Sequence, residues 1–474
     1  MSHLLQNLQM SSDNLRATTA HLVGARGAGM KALGEYLLDL GWQVTGSDNS
    51  EPCAGRSESV PISSGHAAAN LPDSLDVLVH TPAVDEANIE VQTATQLGTT
   101  CLSYPQMLGE ISRSHRTVAV SGTHGKSTTT ALLSWILQSA GLSPSMICGA
   151  ELVKPSVSGW ADDGDVLVAE ACEYRSGFLH LQPEIGVLLG IEPDHFDCFE
   201  NPKQQLDAFR QFAQRLPEDG LLVVNADCRQ SMAVAESVSL RTTTVSFEGP
   251  VGWRAQDVCQ VETGLMFRVC HSQHFHSQIY FPSHGRHQIT NVLAAIAVAA
   301  ELGVQADKIE FAIETFPGLR RRFEPVGTWG GVSLIDDYAH HPTAVTATIR
   351  AARKKYPNRR LVAVFEPHQY SRTDALFDDF VAALRKADEV VIAPIFAARE
   401  SVESSAKQAL IEQLASEIRS DGTAAVAAGS LDQVIATLDD SLAPGDVLLT
   451  MGAGNIDRIP HEFLGRFQRH SEAG

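Results

Sequence analysis

The stretch Thr117-Val-Ala-Val-Ser-Gly-Thr-His-Gly-Lys-Ser-Thr-Thr-Thr130 joins an apolar strand to a helix through a turn flanked by two glycines. In such a turn, backbone N–H groups converge on an anion at the start of the helix. The lysine supplies a positive charge for the outer phosphates of a nucleotide, and the serine hydroxyl suits Mg²⁺. We therefore predict a site for ATP or GTP formed by Gly122, Thr123, His124, Gly125, Lys126, Ser127 and Thr128.

The spacing of this loop is shorter than usual. The common pattern has four residues between its first glycine and the Gly-Lys pair, whereas only Thr123 and His124 separate Gly122 from Gly125. The alternative interpretation is a glycine-rich turn that binds no nucleotide. The apolar strand before the loop and the Lys-Ser-Thr sequence after it favour the nucleotide site.

Length and composition exclude several classes of protein. A chain of 474 residues is too long for one hydrophobic core and suggests about three domains. The formal net charge of −20 argues against nucleic-acid binding, which needs a basic face. The eight cysteines include no close pair of metal-binding type, which indicates reduced thiols. Residues 1–19 are polar, and no later run of about 18 apolar residues occurs. We expect a cytoplasmic protein that does not bind membranes.

Strands and helices alternate in three successive series. Short apolar strands separated by helices are typical of parallel sheets that are covered on both faces. We predict an α/β protein with a Rossmann-like N-terminal domain at residues 1–115, a central P-loop ATPase-type domain at residues 116–316 and a Rossmann-like C-terminal domain at residues 317–474. Residues 242–281 show hairpin-like alternation, which we interpret as a subdomain that completes the central domain.

The first strand-to-helix turn, Gly24-Ala-Arg-Gly-Ala-Gly-Met30, has the character of an incomplete dinucleotide fingerprint. Asp48 follows the second strand at the distance where an acid often binds a ribose. Arg26 replaces the second glycine and is itself a candidate to pair with phosphates. The sequence thus favours a bound diphosphate over a simple tight turn.

Polar side chains follow the strands of the second and third series. Glu170 ends one strand, and the segment 191–197 places three acids and His195 after another. Ligands of open α/β sheets bind at the carboxyl ends of strands, and oxygen donors suit Mg²⁺. Residues 336–342 and Arg372 follow strands of the third series, and a guanidinium suits a carboxylate. Solvated polar loops are the alternative.

Together these features resemble the Mur ligases of peptidoglycan synthesis over nearly the whole chain, and the short phosphate loop is the form that this family uses. Several motifs also occur in the wider superfamily that includes the folylpolyglutamate synthetases. The matching motifs are Gly24–Met30 with Gly46-Ser-Asp48, Ser121–Thr130, Ser176–Pro183, Glu192–His195, Gly285-Arg-His287 with Asn291, Asp336–Pro342, His368–Thr373 and Met451–Asn455.

The resemblance implies an ATP-dependent ligase that joins the lactyl carboxylate of UDP-N-acetylmuramate to the amino group of L-alanine. The carboxylate would attack the γ-phosphate, and the amine would then displace phosphate from the acyl phosphate. ATP and Mg²⁺ are the implied cofactors, and UDP-N-acetylmuramate and L-alanine are the implied small-molecule partners.

The family's residue roles carry over position by position. Catalytic roles fall to Lys126, Glu170, His195 and His341. Ser127 and Glu170 would hold one Mg²⁺, and His195 would hold a second. The ATP site would include the phosphate loop together with His287, Asn291 and Asp337. Substrates would be bound at the UDP end by Gly27, Gly29, Asp48 and His66, at the acceptor by His341 and Arg372, and at the boundary of the third domain by Arg320 and Arg321.

The chain departs from the family pattern near the expected metal site. The family often has Glu-Ala-Asp-Glu-Ser where this chain has Glu170-Ala-Cys172-Glu173-Tyr174, so a ligand role there falls to Glu170 or Glu173. Gln288 also replaces a common asparagine.

Two other functions stay open on the sequence alone: a recycling ligase that adds a tripeptide to the same sugar, and a nucleotide-binding regulator without turnover. The segment His368–Thr373 favours alanine addition. Lys126, Glu170, His195 and Arg372 together argue against a regulator.

Overall fold

The computed structural model describes residues 18–51, 58–247, 249, 252–271, 275–398 and 400–471. Cys53 and most of the polar segment at residues 1–19, both used in the sequence predictions, lie outside these ranges. The described residues form one sheet in each of the three series, and helices pack against the sheets. The predicted α/β fold class is confirmed.

The N-terminal sheet, as far as residues 18–103 are described, has five parallel strands in the order β3-β2-β1-β4-β5. The strands are β1 (Thr19–Val23), β2 (Gln43–Asp48), β3 (Ile62–Ser64), β4 (Val77–His80) and β5 (Thr100–Ser103). The helices are α1 (Ala28–Asp39), α2 (Ile89–Gln96) and α3 (Tyr104–Ser112), with a 3₁₀ turn at Ala68–Asn70. Strand β1 is buried along its whole length, as a central parallel strand must be.

The central sheet, counted over the described residues, has ten strands in the order β15-β14-β13-β12-β11-β10-β6-β9-β7-β8. They are β6 (Arg116–Ser121), β7 (Ser145–Ile147), β8 (Gly159–Trp160), β9 (Val166–Glu170), β10 (Ile185–Leu188), β11 (Leu221–Asn225), β12 (Arg241–Ser246), β13 (Trp253–Val261), β14 (Gly264–His271) and β15 (Phe275–Phe281). The hairpin-like strands β13 to β15 pair antiparallel and extend this same sheet.

Helices pack on both sides of the central sheet. They are α4 (Lys126–Ser139), α5 (Pro202–Ala213), α6 (Arg229–Ala235), α7 (Gln288–Glu301) and α8 (Ala306–Glu314), with a 3₁₀ helix at Tyr174–His180. The Ala-rich helix α7 is buried over most of its length and contacts α4. This contact fixes the helix that begins at the phosphate loop.

The C-terminal sheet, within residues 324–452 as described, has six strands in the order β16-β17-β21-β18-β19-β20. They are β16 (Glu324–Trp329), β17 (Val332–Asp337), β18 (Leu361–Glu366), β19 (Glu389–Ile392), β20 (Ala424–Ala427) and β21 (Val447–Gly452). The helices are α9 (Pro342–Lys355), α10 (Tyr370–Ala375), α11 (Phe377–Leu384), α12 (Ser404–Arg419), α13 (Leu431–Ser441) and α14 (Arg458–Ser471). Strands β17, β18 and β21 are parallel neighbours, so their carboxyl ends share one edge.

Helix α1 of the N-terminal domain packs directly on the central sheet. The buried Glu35 carboxylate accepts hydrogen bonds from the backbone N–H of Ser158 at 2.7 Å, the Ser158 hydroxyl at 2.8 Å and the N–H of Gly159 at 3.0 Å. A Cβ on Gly159 would lie 2.1 Å from the carbonyl oxygen of Ala32. Only glycine therefore allows the helix and strand to approach this closely. Among the described helices, none is long and apolar enough to cross a membrane.

Candidate active site

The predicted phosphate loop connects β6 to α4. Gly122 and Gly125 have φ values of 133° and 82°, a region that side chains with a Cβ rarely adopt. A Cβ on Gly125 would also lie 2.1 Å from the Asn291 side-chain oxygen. Helix α4 begins at Lys126, immediately after Gly125. The loop thus presents the start of a helix at the edge of the sheet, which is the arrangement that binds phosphate.

Lys126 lies across the mouth of the loop. Its ammonium donates to the Gly122 carbonyl at 2.5 Å and to the Glu173 carboxylate at 3.0 Å. Burial lowers the pKa of Lys126, but Glu173 outweighs that effect and raises it. Burial likewise works against ionisation of Glu173, yet Lys126 and His195 lower its pKa to about 2. The loop therefore holds a buried, fully ionised pair.

Among the residues that the structure describes, Glu173, Cys172 and His195 form the first of two clusters whose donor atoms lie within 4.8 Å of one another. His195 Nε2 is 3.6 Å from Glu173 Oε1. Glu170 ends β9 as predicted, but its carboxylate accepts from the Gly149 N–H at 2.7 Å. Of the two acids left open by the sequence, the structure brings Glu173 to Lys126 and His195. The sequence favoured Glu170 because it ends a strand. Glu173 lies three residues further on, directly before the 3₁₀ helix in which residues 175 and 176 have positive φ.

Arg322 is the arginine that faces the phosphate loop. Its Nη2 donates to the Ser127 hydroxyl oxygen at 3.2 Å, and its guanidinium lies over the Tyr338 ring. Arg321, predicted to bind substrate, instead pairs with Asp336 at 3.1 Å and donates to backbone carbonyls of the C-terminal domain. Arg320 pairs with Glu324 at 2.6 Å. Three adjacent arginines carry no sequence signal that separates their roles.

The three residues predicted to join the ATP site lie on different elements. Asn291, on α7, abuts Gly125 and donates to Gln288 at 2.8 Å. His287 precedes the same helix and is exposed. Asp337 is buried and accepts from the backbone N–H of Phe323 at 2.7 Å and of Ala339 at 2.8 Å, and burial raises its pKa. Its carboxylate therefore holds the connection between the central and C-terminal domains.

A cavity of about 580 Å³ opens beside the loop, between the central and C-terminal domains. Thr128 and Arg322 form the side nearest the phosphate loop. The wall includes the polar groups of His284 and Gln288 together with the Phe323 ring. A cavity with aromatic and polar walls beside a phosphate loop suits a nucleoside.

His341 of the C-terminal domain lies beside the loop. It forms the second cluster together with His124 and Glu192. Its Nδ1 is 3.5 Å from Glu192 Oε2, and Glu192 Oε2 is 3.2 Å from His124 Nε2. The Thr343 hydroxyl donates to the same carboxylate at 2.7 Å. Burial would raise the pKa of Glu192, but its bond to His124 and the other contacts lower it to about 2. Glu192 was one of three acids predicted after β10, but its sequence position carried no specific role.

Arg372 is buried against the central domain. Its Nε and Nη2 lie 2.8 Å and 2.6 Å from Asp194 Oδ1, and the pair is 2% and 5% exposed. Although burial works in the opposite direction, Arg372 lowers the pKa of Asp194. Asp194 also accepts from the His195 N–H at 2.7 Å. The residue predicted to face the acceptor thus forms a buried interdomain ion pair with Asp194, an acid to which no role was predicted.

The residues predicted for the UDP end gather at the edge of the N-terminal sheet. Asp48 accepts from the Arg26 N–H at 2.8 Å, and the Arg26 side chain pairs with Glu58 at 2.6 Å and so does not point freely toward a phosphate. His66 Nδ1 lies 2.9 Å from the Ser47 hydroxyl.

The two predicted glycines of the same turn lie at the start of α1. Gly27 is the residue before the helix, and a Cβ on Gly29 would lie 2.8 Å from the Tyr104 ring. The turn is therefore close-packed as well as tight.

The phosphate loop, its acid and imidazole neighbours and the flanking α/β domains define a nucleotide-binding enzyme. Sequence profiles match it in three consecutive ranges: the Mur ligase family catalytic domain at residues 19–116, the Mur ligase middle domain at residues 120–299, and the Mur ligase glutamate ligase domain at residues 321–454. The chain belongs to the Mur ligase family.

Individual relatives also place the chain in this family. The UDP-N-acetylmuramate–L-alanine ligase of Clostridium novyi is 36% identical over 94% of this chain and 96% of its own length. The ligase of the same name from Acidithiobacillus ferrooxidans is 38% identical over 92% and 95%. The solved UDP-N-acetylmuramate–alanine ligase of Thermotoga maritima shares the fold, with a TM-score of 0.80 at 24% identity over 95% of this chain and 99% of that one.

A murein peptide ligase from Psychrobacter arcticus is also similar in structure. Its TM-score is 0.73 at 25% sequence identity, and the match covers 95% of this chain and 98% of that one.

Proposed function

We propose that this protein is an ATP-dependent ligase that joins UDP-N-acetylmuramate to L-alanine, with ADP and phosphate as the other products. The observation that carries this proposal is Lys126, held by Glu173 in a phosphate loop that faces His341 and Arg322 of another domain. A hydrolase acting on water needs no second domain with an imidazole and a guanidinium at the loop. Relatives of that name, 36–38% identical over most of the chain, support it.

The nucleotide would bind with its phosphates on the loop and its nucleoside in the adjoining cavity. Lys126 would exchange the Gly122 carbonyl and Glu173 for the outer phosphates. Arg322 lies between the loop and the cavity, so its guanidinium can reach a phosphate oxygen. These exchanges replace interactions within the protein by interactions with the nucleotide, and they place positive charge where it stabilises the transferring phosphoryl group.

The residues around the loop fit Mg²⁺. The Ser127 hydroxyl and the carboxylates of Glu170 and Glu173 are hard oxygen donors, which Mg²⁺ prefers alongside phosphate oxygens. When bound, Mg²⁺ would neutralise phosphate charge. His195 would border the same site, and exchange of Lys126 to the phosphates would free Glu173 for it. Glu170 and Glu173 thus both belong to the proposed donor set.

The chemistry would proceed in two steps. The lactyl carboxylate of the sugar attacks the γ-phosphorus, and ADP leaves with the electrons of the broken P–O bond. The amine of L-alanine then attacks the acyl carbon, and phosphate leaves from the tetrahedral intermediate. The proton that the amine loses passes to solvent. Asp48 and His66 would hold the uridine diphosphate end of the sugar nucleotide.

The two alternatives are less well supported. The murein peptide ligase from Psychrobacter arcticus is 25% identical, whereas ligases named for L-alanine reach 38%. A regulator without turnover would not require Lys126, Glu173 and His195 in one cluster.

We also propose a cytoplasmic location. The cysteines among the described residues are free thiols, as is usual in a reducing compartment.

The acceptor is tested by measuring ADP release from ATP, Mg²⁺ and UDP-N-acetylmuramate with L-alanine, L-serine, glycine or the tripeptide. We expect the highest kcat/KM with L-alanine, and weaker turnover with glycine and serine, because a pocket discriminates one small group by only about 1–3 kcal/mol. Turnover with the tripeptide but not with L-alanine would establish the recycling function instead. Tight ATP binding with no turnover for any acceptor would establish the regulator.

A further inference from the structure

Three side chains from two domains meet beside the phosphate loop: His124 in the loop, Glu192 after β10, and His341 at the start of α9. Their donor atoms all lie within 4.8 Å of one another. Glu192 has no role in the ligation steps above. The arrangement therefore needs a separate explanation.

The hydrogen bonds of His341 determine which of its nitrogens is available. Its Nε2 lies 3.3 Å from the Pro193 carbonyl oxygen, which can only accept, so Nε2 carries the proton. Nδ1 then carries a lone pair. It lies 3.5 Å from Glu192 Oε2 and accepts a long hydrogen bond of 3.4 Å from the Thr343 N–H, which a cation would replace. An imidazole lone pair and a carboxylate oxygen face each other, and a cation between them would bind both.

Two of the three separations between the ligand atoms match those around a tetrahedral ion, and the third, between the two imidazole nitrogens, is within 4.8 Å. Zn–N and Zn–O distances of about 2.0–2.1 Å place neighbouring ligand atoms about 3.4 Å apart. The two separations to Glu192 Oε2 are 3.2 Å from His124 Nε2 and 3.5 Å from His341 Nδ1. A metal-bound imidazole commonly donates its other N–H to a backbone carbonyl, as His341 does to Pro193. The Thr343 hydroxyl holds the carboxylate in place at 2.7 Å.

We propose that His124, Glu192 and His341 form a binding site for a borderline divalent transition ion such as Zn²⁺, which joins the phosphate loop to the C-terminal domain. Two imidazoles and one carboxylate suit Zn²⁺, Ni²⁺ or Co²⁺, whereas Mg²⁺ requires oxygen ligands. His124 and Glu192 are 34% and 36% exposed, so water can complete the coordination.

The site is separate from the cluster of Cys172, Glu173 and His195. That cluster contains a thiol, and the Lys126 ammonium lies 3.0 Å from its carboxylate, which disfavours a cation in the nucleotide-free protein. The two clusters can be told apart by spectroscopy, because a bound thiolate gives Co²⁺ a charge-transfer band that imidazole and carboxylate ligands do not.

The test is calorimetric titration of ZnCl₂ into the untagged, nucleotide-free full chain and into four variants. Glu192→Gln and His124→Asn each remove one ligand. Cys172→Ser removes the thiol of the other cluster, and Glu184→Gln is a control at an ion-paired, part-exposed glutamate, 2.7 Å from Arg116. We expect E192Q and H124N to bind at least about tenfold more weakly, since even outer-shell changes have effects of that size. C172S and E184Q should bind as the parent does.

Co²⁺ provides a second measurement that does not depend on how the variants fold. The parent protein with one equivalent of Co²⁺ should show visible ligand-field absorption without a thiolate charge-transfer band. No Zn²⁺ binding by the parent, equal binding by E192Q and H124N, or a thiolate band that C172S abolishes would each overturn the proposal.

Discussion

Lys126 is the residue on which the proposed chemistry depends most strongly. Its charge is preserved in a buried position by Glu173, so it is available to the γ-phosphate without a change of protonation. Replacing Lys126 by alanine should lower kcat by on the order of 10² or more through lost charge stabilisation. Lys308→Ala is the control, because that lysine is exposed and contacts a backbone carbonyl elsewhere in the same domain. Equal kcat for K126A and the parent would mean that the γ-phosphate binds elsewhere.

Glu366 illustrates how the burial of one carboxyl group makes the stability of the folded protein depend on pH. It ends β18, is 3% exposed, and accepts from the N–H groups of Gly454 and Asn455 at 2.8 and 3.1 Å. Burial outweighs these bonds and raises its pKa from 4.5 to about 7. The folded state then holds this proton more tightly than the unfolded state does, so the contribution to stability is complete below pH 4.5 and is lost as the pH rises to about 7.

Glu366→Gln should therefore flatten the stability profile. Across that pH range the parent should lose on the order of 3 kcal/mol of unfolding free energy to this group, and E366Q should not. Urea unfolding at several pH values measures the difference. The same slope in both proteins would show that Glu366 titrates normally.

At the scale of elements, the phosphate loop depends on the contact between Gly125 and α7. Gly125 and Gly141 have nearly equal φ values, 82° and 84°, at opposite ends of α4. A Cβ would collide with Asn291 at Gly125, whereas nothing lies within 4 Å of one at Gly141. The pair therefore separates the cost of backbone strain from the cost of displacing the Asn291 side chain on α7.

Gly125→Ala and Gly141→Ala should both destabilise the protein by about 1–3 kcal/mol, the usual cost of a left-handed conformation. Only G125A should also weaken ATP binding, by about tenfold or more, since 1.4 kcal/mol of displacement already has that effect. Calorimetry with ATP and thermal unfolding measure the two effects. Comparable ATP affinity in both variants would contradict the proposed contact.

Elements were easier to predict from the sequence than the contacts between them. The pattern of apolar residues and the positions of the glycines identified the loop from Gly122 to Thr128 and the strand ending at Glu170. The contacts of Glu173 depend on the turn that follows β9, and those of Glu192 and Asp194 depend on the approach of the C-terminal domain. Such contacts carry no local sequence signal. For the same reason the sequence could not separate Arg322 from Arg320 and Arg321, whose side chains point in different directions from a turn in which Arg321 has a φ of 57°.

For the whole molecule, the ion pair between Asp194 and Arg372 holds the C-terminal domain on the central domain. Removing one member of a buried pair leaves the other charge uncompensated, at a cost of about 3–5 kcal/mol. Asp194→Asn should therefore shift the nucleotide-free protein toward a more open arrangement, in which Arg372 becomes solvated. Small-angle scattering should show a larger radius of gyration for D194N than for the parent.

The matched control is Glu417→Gln, which breaks an exposed pair with Arg385 within the C-terminal domain. Exposed pairs contribute about 0–1 kcal/mol, so E417Q should scatter as the parent does. Identical radii for all three proteins would show that other contacts set the domain arrangement.

The central claim is that the γ-phosphate goes to a carboxylate and not to water. Isotope transfer tests it most directly. UDP-N-acetylmuramate labelled with ¹⁸O in its lactyl carboxylate is turned over with ATP, Mg²⁺ and L-alanine, and the released phosphate is analysed by mass spectrometry. Attack by the carboxylate followed by displacement by the amine carries one labelled oxygen into each phosphate. Phosphate that contains no label from the carboxylate would contradict the account.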